Sequence, residues 1–142
     1  MGPFDRYDQG GKQLLGKPRT GDGSCRNGYG PPVFHQCGRH CVYCDRDLAS
    51  TYESWLNISV DHVIPCSVGW YGDHPEWIED TINLATCCRA CNEFLNQFKC
   101  TEGVPTSLEE FTTLRDKVHS AKRIMAQRRH LQEKERYRVW HD

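Results

Sequence analysis

At 142 residues the chain has the size of a single domain. A hydrophobic content of 37% with 11% aromatics excludes a chain too polar to fold, and the lack of any run near about 18 apolar residues excludes a membrane-spanning helix. The net charge of −1 conceals segregation: residues 1–44 sum to +3, residues 45–110 to −9 and residues 111–142 to +5. A basic tail beside an acidic middle suits a nucleic-acid binder with a carboxylate-rich cation site, and equally a solvated helix beside an acidic loop.

Residues 1–32 hold eight of the 12 glycines and four of the seven prolines, so they read as an extended arm carrying Lys12, Lys17, Arg19 and Arg26. No basic segment followed by an apolar run opens the chain, so the expected location is cytoplasmic. Residues 33–104 are expected to form the core, and 105–142 a basic amphipathic helix. Within the core, residues 37–47 read as a knuckle, and residues 57–63 alternate apolar and polar side chains as a strand that Pro65 ends. Residues 66–81 form a long connection with a short helical turn over 76–80. A second strand is expected over 82–86 and a helix from Arg89 through Phe98. After the break at Gly103 and Pro105, Ser107-x-x-Glu110 is a capping box that opens the last helix. Leu108, Phe111, Leu114 (or Arg115), Val118, Ala121 and Met125 give that helix an apolar stripe that packs on the domain or on a second copy. The fold class expected is α+β.

The cysteines bring in chemistry. There are nine, which leaves one unpaired in any disulfide scheme, whereas Cys41-x2-Cys44 and Cys88-x2-Cys91 are two pairs of the kind that grip zinc. Zn²⁺ takes four thiolates in a tetrahedron, and each CxxC turn supplies two without strain. Cys37 and Cys87 are competing ligands. Cys25, Cys37, Cys66, Cys87 and Cys100 otherwise read as small buried thiols, with a second metal around Cys25, His35, Cys37 or His40 as the alternative.

The 43 residues between the pairs contain Asp61-His62 and Asn83, and Asn92 follows the last cysteine. Hydrolysis of a phosphodiester needs a base for water, a cation to neutralise developing charge and support for the leaving oxygen. Histidine titrates near neutrality and suits the base, and a carboxylate offers the hard oxygen that Mg²⁺ or Mn²⁺ prefers. Asn92, expected at a helix start fixed by the adjacent metal ligand, can be a second cation ligand, with Asn96 a further candidate. Asn83 can hydrogen-bond backbone and hold the His62 loop. Taken singly, an Asp-His dipeptide is more often structural, and asparagines are commonly turn or cap residues.

Taken together, residues 41–99 resemble the zinc-clipped HNH endonuclease family. The resemblance implies a small ββα-metal core stapled by a four-cysteine zinc site, with a Gly/Pro-rich arm before it and the basic helix after it. It implies His62 as general base, Asp61 and Asn92 as ligands of a catalytic Mg²⁺ or Mn²⁺, and Asn83 as the orienting residue. It also implies cleavage of DNA to a 5′-phosphate and a 3′-hydroxyl. Leu95 stands where the family often has a lysine, and the connection carrying Trp70, Tyr71 and Trp77 is longer than usual. Those three aromatics are expected in the core. Lys122, Arg123, Arg128, Arg129, Lys134, Arg136 and Arg138 are expected to meet phosphates, with double-stranded DNA as partner and a homodimer or larger nuclease assembly as the setting. The alternative is a non-catalytic zinc module that binds nucleic acid or protein.

Overall fold

The computed structural model describes Arg26, residues 30–73 and residues 75–141. Most of the arm expected over 1–32 lies outside the described residues. The first helix among the described residues, α1 (Gly30–Gln36), crosses the expected boundary of that arm. Its opening, Gly30-Pro31-Pro32, reads in the sequence only as turns. Prolines are tolerated in a first helical turn, where the backbone N–H groups have no partner within the helix, so Pro31 and Pro32 start α1 instead of breaking it. Gly38, at φ 75°, turns the chain out of it, and Arg39 N–H bonds back to the Phe34 carbonyl at 3.0 Å.

The knuckle follows. Asp45 N–H donates to the Cys41 carbonyl and Cys41 N–H to the Arg46 carbonyl, both at 2.9 Å, with Asp45 itself at φ 64°. Helix α2 (Tyr52–Leu56), absent from the sequence expectation, is capped by the Thr51 hydroxyl, which accepts from Ser54 N–H at 3.0 Å. Strand β1 (Ile58–His62) then pairs antiparallel with β2 (Leu84–Cys88), with Asp61 opposite Ala85 and His62 opposite Leu84. Between the strands lie the short helix α3 (Pro75–Ile78) and a 3-10 turn over Thr81–Asn83.

Two boundaries move for physical reasons. The second strand was expected over 82–86. Asp80 accepts from Ile82 N–H at 3.1 Å and binds Asn83 N–H through its carbonyl at 2.9 Å, so the chain coils to residue 83 before extending. All five residues of β2 are buried, which removes the alternation that marks a half-exposed strand. Helix α4 spans Arg89–Phe94 and stops short of the expected Phe98, because the chain turns at Leu95, whose side chain is in the core. Asn96 therefore lies past the helix, exposed, and not one turn along it from Asn92.

The last helix, α5 (Leu108–His141), has 34 residues and is about 51 Å long at about 1.5 Å per residue. Ser107 caps it by accepting from Glu110 N–H at 3.0 Å; Glu110 reaches back to the N–H of Thr106, one residue before the cap. Its buried positions are Phe111, Val118, Lys122 and Ala126, whereas Ala121 and Met125, expected on the apolar stripe, are exposed. Among the described residues no helix is long and apolar enough to cross a membrane.

Among the described residues the core has two lobes. One gathers Val63, Ile64, Trp70, Trp77, Ile78, Ala85, Cys100, Phe111 and Val118; the other gathers Phe34, Tyr43, Leu48, Ile58, Leu95, Ala126, Cys41, Cys87, Cys88 and Cys91. The aromatics Trp70 and Trp77 are interior, as expected. Val118 and Ala126 belong to different lobes, and Lys122 stands between them on the same face of α5.

Candidate metal centre and the Asp61–His62 site

Cys41, Cys44, Cys88 and Cys91 bring their sulfurs within 4.8 Å of one another, with Cys44 and Cys88 3.8 Å apart. Zn–S bonds of about 2.3 Å set tetrahedrally separate sulfurs by about 3.8 Å. The four can therefore hold a metal ion such as zinc. Local structure arranges them: the knuckle supplies the first pair, and Cys88 ends β2 while capping α4, its sulfur accepting from Cys91 N–H at 3.4 Å. The cluster holds its protons collectively. The thiol of Cys44 lowers Cys41 to about 6, and the neighbouring sulfurs pull Cys88 down while pushing Cys44 and Cys91 up. Cys41 and Cys88 are thereby the two sulfurs readiest to bind a metal as thiolates.

The competing ligands stand apart from this group. Cys87 is buried, and desolvation drives its thiol pKa well up, as befits a neutral core residue. Cys37 accepts weakly from Thr86 N–H at 3.4 Å. Cys100 is also interior, but Cys66 is exposed, contrary to expectation. Cys25 lies outside the described residues, and among those described no second metal-holding group forms.

Helix α5 leans on the cysteine cluster. His130 Nε2 is 3.2 Å from Cys91 Sγ, and its ring meets Phe94 edge-on at 4.9 Å. Arg123 clasps Asp45 with both terminal nitrogens and donates to the Val42 carbonyl at 3.0 Å; His119 Nε2 is 3.3 Å from the same carbonyl. The sequence reading missed His130 as a partner of the cysteines. It lies four residues after Ala126, on a face that only the docked helix reveals.

Around Asp61 the geometry departs from an open cation site. Asp61 Oδ2 accepts from the Tyr43 hydroxyl at 2.5 Å and from the Lys122 ammonium at 2.9 Å. Lys122 is only 1% exposed and donates a second bond, also 2.9 Å, to the carbonyl of His62. Its ammonium further lies 5.6 Å from the Phe98 ring centre. Burial, and then the Asp61 charge, raise the Tyr43 pKa, so the phenol stays protonated and donates. A carboxylate oxygen already receiving two donors does not fit a divalent ion as arranged. Lys122, expected to meet phosphates, is interior instead because it falls in the Val118–Lys122–Ala126 stripe.

His62 is the last residue of β1 and is half-buried, with Nε2 covered from solvent. Adjacent strand residues point to opposite faces, so Asp61 and His62 diverge along β1. Asn83 is fully buried, and its amide clamps the chain after His62: it accepts from Ile64 N–H at 2.8 Å and donates to the Ile64 and Ile78 carbonyls at 3.0 and 2.7 Å. Asn92 is exposed on α4, next to Cys91. Of the other basic residues expected to meet phosphates, Arg136 and Arg138 pair with Glu133 and Glu135 on their own helix, and Arg129 approaches Glu133 at 3.9 Å. Arg128 and Lys134 are exposed.

No family model, no curated protein and no solved structure matches the chain.

Proposed function

We propose that the chain is a DNA endonuclease of HNH type, with a structural zinc on Cys41, Cys44, Cys88 and Cys91. The observation that carries this reading is the Asn83 clamp: a buried amide devoted to three backbone groups holds the segment directly after His62. Supporting it is the order β1, β2, α4, in which a metal-binding cysteine ends the second strand and caps the helix. In this reading the cysteine clip and Asn83 together fix the backbone that carries the base. His62 takes a proton from the attacking water, and the backbone clamp keeps its ring from drifting with the loop. Asn92 projects from α4, whose first turn the cysteines hold.

A divalent cation, when bound, would supply neutralisation of charge at the leaving 3′-oxygen. Asp61 is the protein's hard-oxygen ligand for it only if Lys122 withdraws. Exposed Arg128 and Lys134 offer the phosphate backbone a path along α5, and binding of that kind is sensitive to salt and weakly selective for sequence.

A second reading, a zinc module that binds without cutting, draws on the neutralisation of Asp61 by a buried lysine. One experiment separates the two. Zinc-loaded protein, its metal content verified, is incubated with supercoiled, linear and branched DNA in Mg²⁺, Mn²⁺ or EDTA. Divalent-dependent nicking supports the nuclease; binding without cleavage under every condition supports the module.

A further inference from the structure

Helix α5 has one side packed on the core and the other side bare. Phe111, Val118, Lys122 and Ala126 turn inward. On the far side, Ile124, Arg128, Leu131, Glu135 and Val139 follow one another at helical spacing. At about 100° per residue these five fall within about 80° of the helix circumference. All five are exposed, Ile124 by 51%, Leu131 by 67% and Val139 by 65%. Glu135 bonds Arg138 of its own helix at the surface, and Arg128 makes no ion pair among the described residues. Apolar side chains repeated at this spacing form a stripe, unlike apolar residues scattered singly over a surface.

We infer that this stripe pairs with the same stripe of a second copy of the chain, the two helices running antiparallel about a two-fold axis near Leu131. The order of the side chains selects the occupant. From either end it runs apolar, charged, apolar, charged, apolar, with the cation in one half and the anion in the other. Antiparallel pairing sets Arg128 of each copy against Glu135 of the other, Ile124 against Val139, and Leu131 against Leu131. Parallel pairing in register sets Arg128 against Arg128 and Glu135 against Glu135, and like charges so placed repel. A nucleic acid would satisfy Arg128 but would repel Glu135 and leave the three apolar side chains wet. An isologous contact of this kind closes at two copies. Residues 121–141 of the two helices overlap over about 30 Å at about 1.5 Å per residue. Each core stays on the inner side of its own helix, so the two cores sit on opposite outer sides of the pair, clear of the contact. Tyr137 and Trp140 fall outside the stripe, toward the side of α5 that is buried nearer its start. Three apolar side chains from each copy and two crossed ion pairs make a small contact, so the dimer should come apart on dilution through the micromolar range. The pairing stands or falls independently of the nuclease reading.

The test is sedimentation equilibrium of the zinc-loaded full chain without DNA. The wild type should pass from the monomer mass to twice that mass as its concentration rises from micromolar to hundreds of micromolar. L131D and R128E should each weaken the dimer at least about tenfold, because each puts an unmatched charge into the contact. R128E/E135R exchanges the two charges and restores both crossed pairs, so it should recover dimerisation to within about threefold of the wild type. W140A, off the stripe, should dimerise as the wild type does. The substituted positions are exposed, so every variant should keep its zinc and the helix content seen by circular dichroism. A wild type that is monomeric throughout, or a dimer that L131D leaves intact, overturns the pairing. So does a dimer that W140A weakens as much as L131D. A dimer that R128E weakens and R128E/E135R fails to restore overturns the antiparallel register. A monomeric wild type whose DNA binding L131D weakens gives the face to nucleic acid and overturns the inference as well.

Discussion

Asn83 shows how one side chain can hold a loop that has almost no regular structure. Its amide satisfies one N–H and two carbonyls, all in the interior. Asn83→Ala leaves those groups without partners, and at about 1–3 kcal/mol for each unsatisfied buried group, partly relieved by relaxation, the loss should be about 3 kcal/mol. Urea unfolding of zinc-loaded protein measures it. The asparagine was legible from sequence because it followed a long connection. Tyr43, Lys122 and His130 were not, because each acts across a sequence distance that only the docked helix closes. His119 makes a second prediction. Burial, ahead of the charge of Arg115, lowers its pKa, so the folded state resists protonation more than the unfolded chain does. A depressed histidine contributes stability that is present above the unfolded value near about 6.5 and is lost as pH falls through the folded value. His119→Gln should therefore flatten the stability profile below that pH relative to the wild type, read by thermal melts across a pH series.

Helix α5 was the easiest element to find and the hardest to orient. Its start was set by Ser107 and Glu110, and its length by the absence of any glycine or proline after Pro105. Orientation failed after Val118. Choosing Ala121 and Met125 followed hydrophobicity, whereas the buried line runs through Lys122 to Ala126, because a lysine with a carboxylate to meet can occupy an apolar stripe. Strand β2 was misplaced for the complementary reason: a strand buried on every side carries no alternating signal. The helix also touches the cysteines through His130, and partners of metal ligands tune how tightly the metal is held. His130→Ala should surrender zinc to a competing chelator about tenfold faster than the wild type, with the secondary structure seen by circular dichroism retained. An unchanged release rate would reduce the contact to packing against Phe94.

The described residues form two small core lobes joined by a two-stranded sheet, a cysteine cluster and one long helix that spans both lobes. A chain of this size often needs such a staple, since its surface is large for its interior. The α+β class and the four-cysteine group were readable from spacing and pattern; the relation between the helix and Asp61 was not, because it depends on which face of α5 turns inward. Asn83 fixes the backbone just after His62, and the nuclease reading requires that this imidazole do chemistry. Nicking of supercoiled plasmid by zinc-loaded wild type and His62→Ala, side by side in Mn²⁺, decides the matter. The wild type should nick and the variant should be slower by at least about a hundredfold, the span general-base loss commonly covers, with zinc content and melting temperature unchanged. Cleavage by His62→Ala at the wild-type rate, or no divalent-dependent nicking by the wild type, would contradict it.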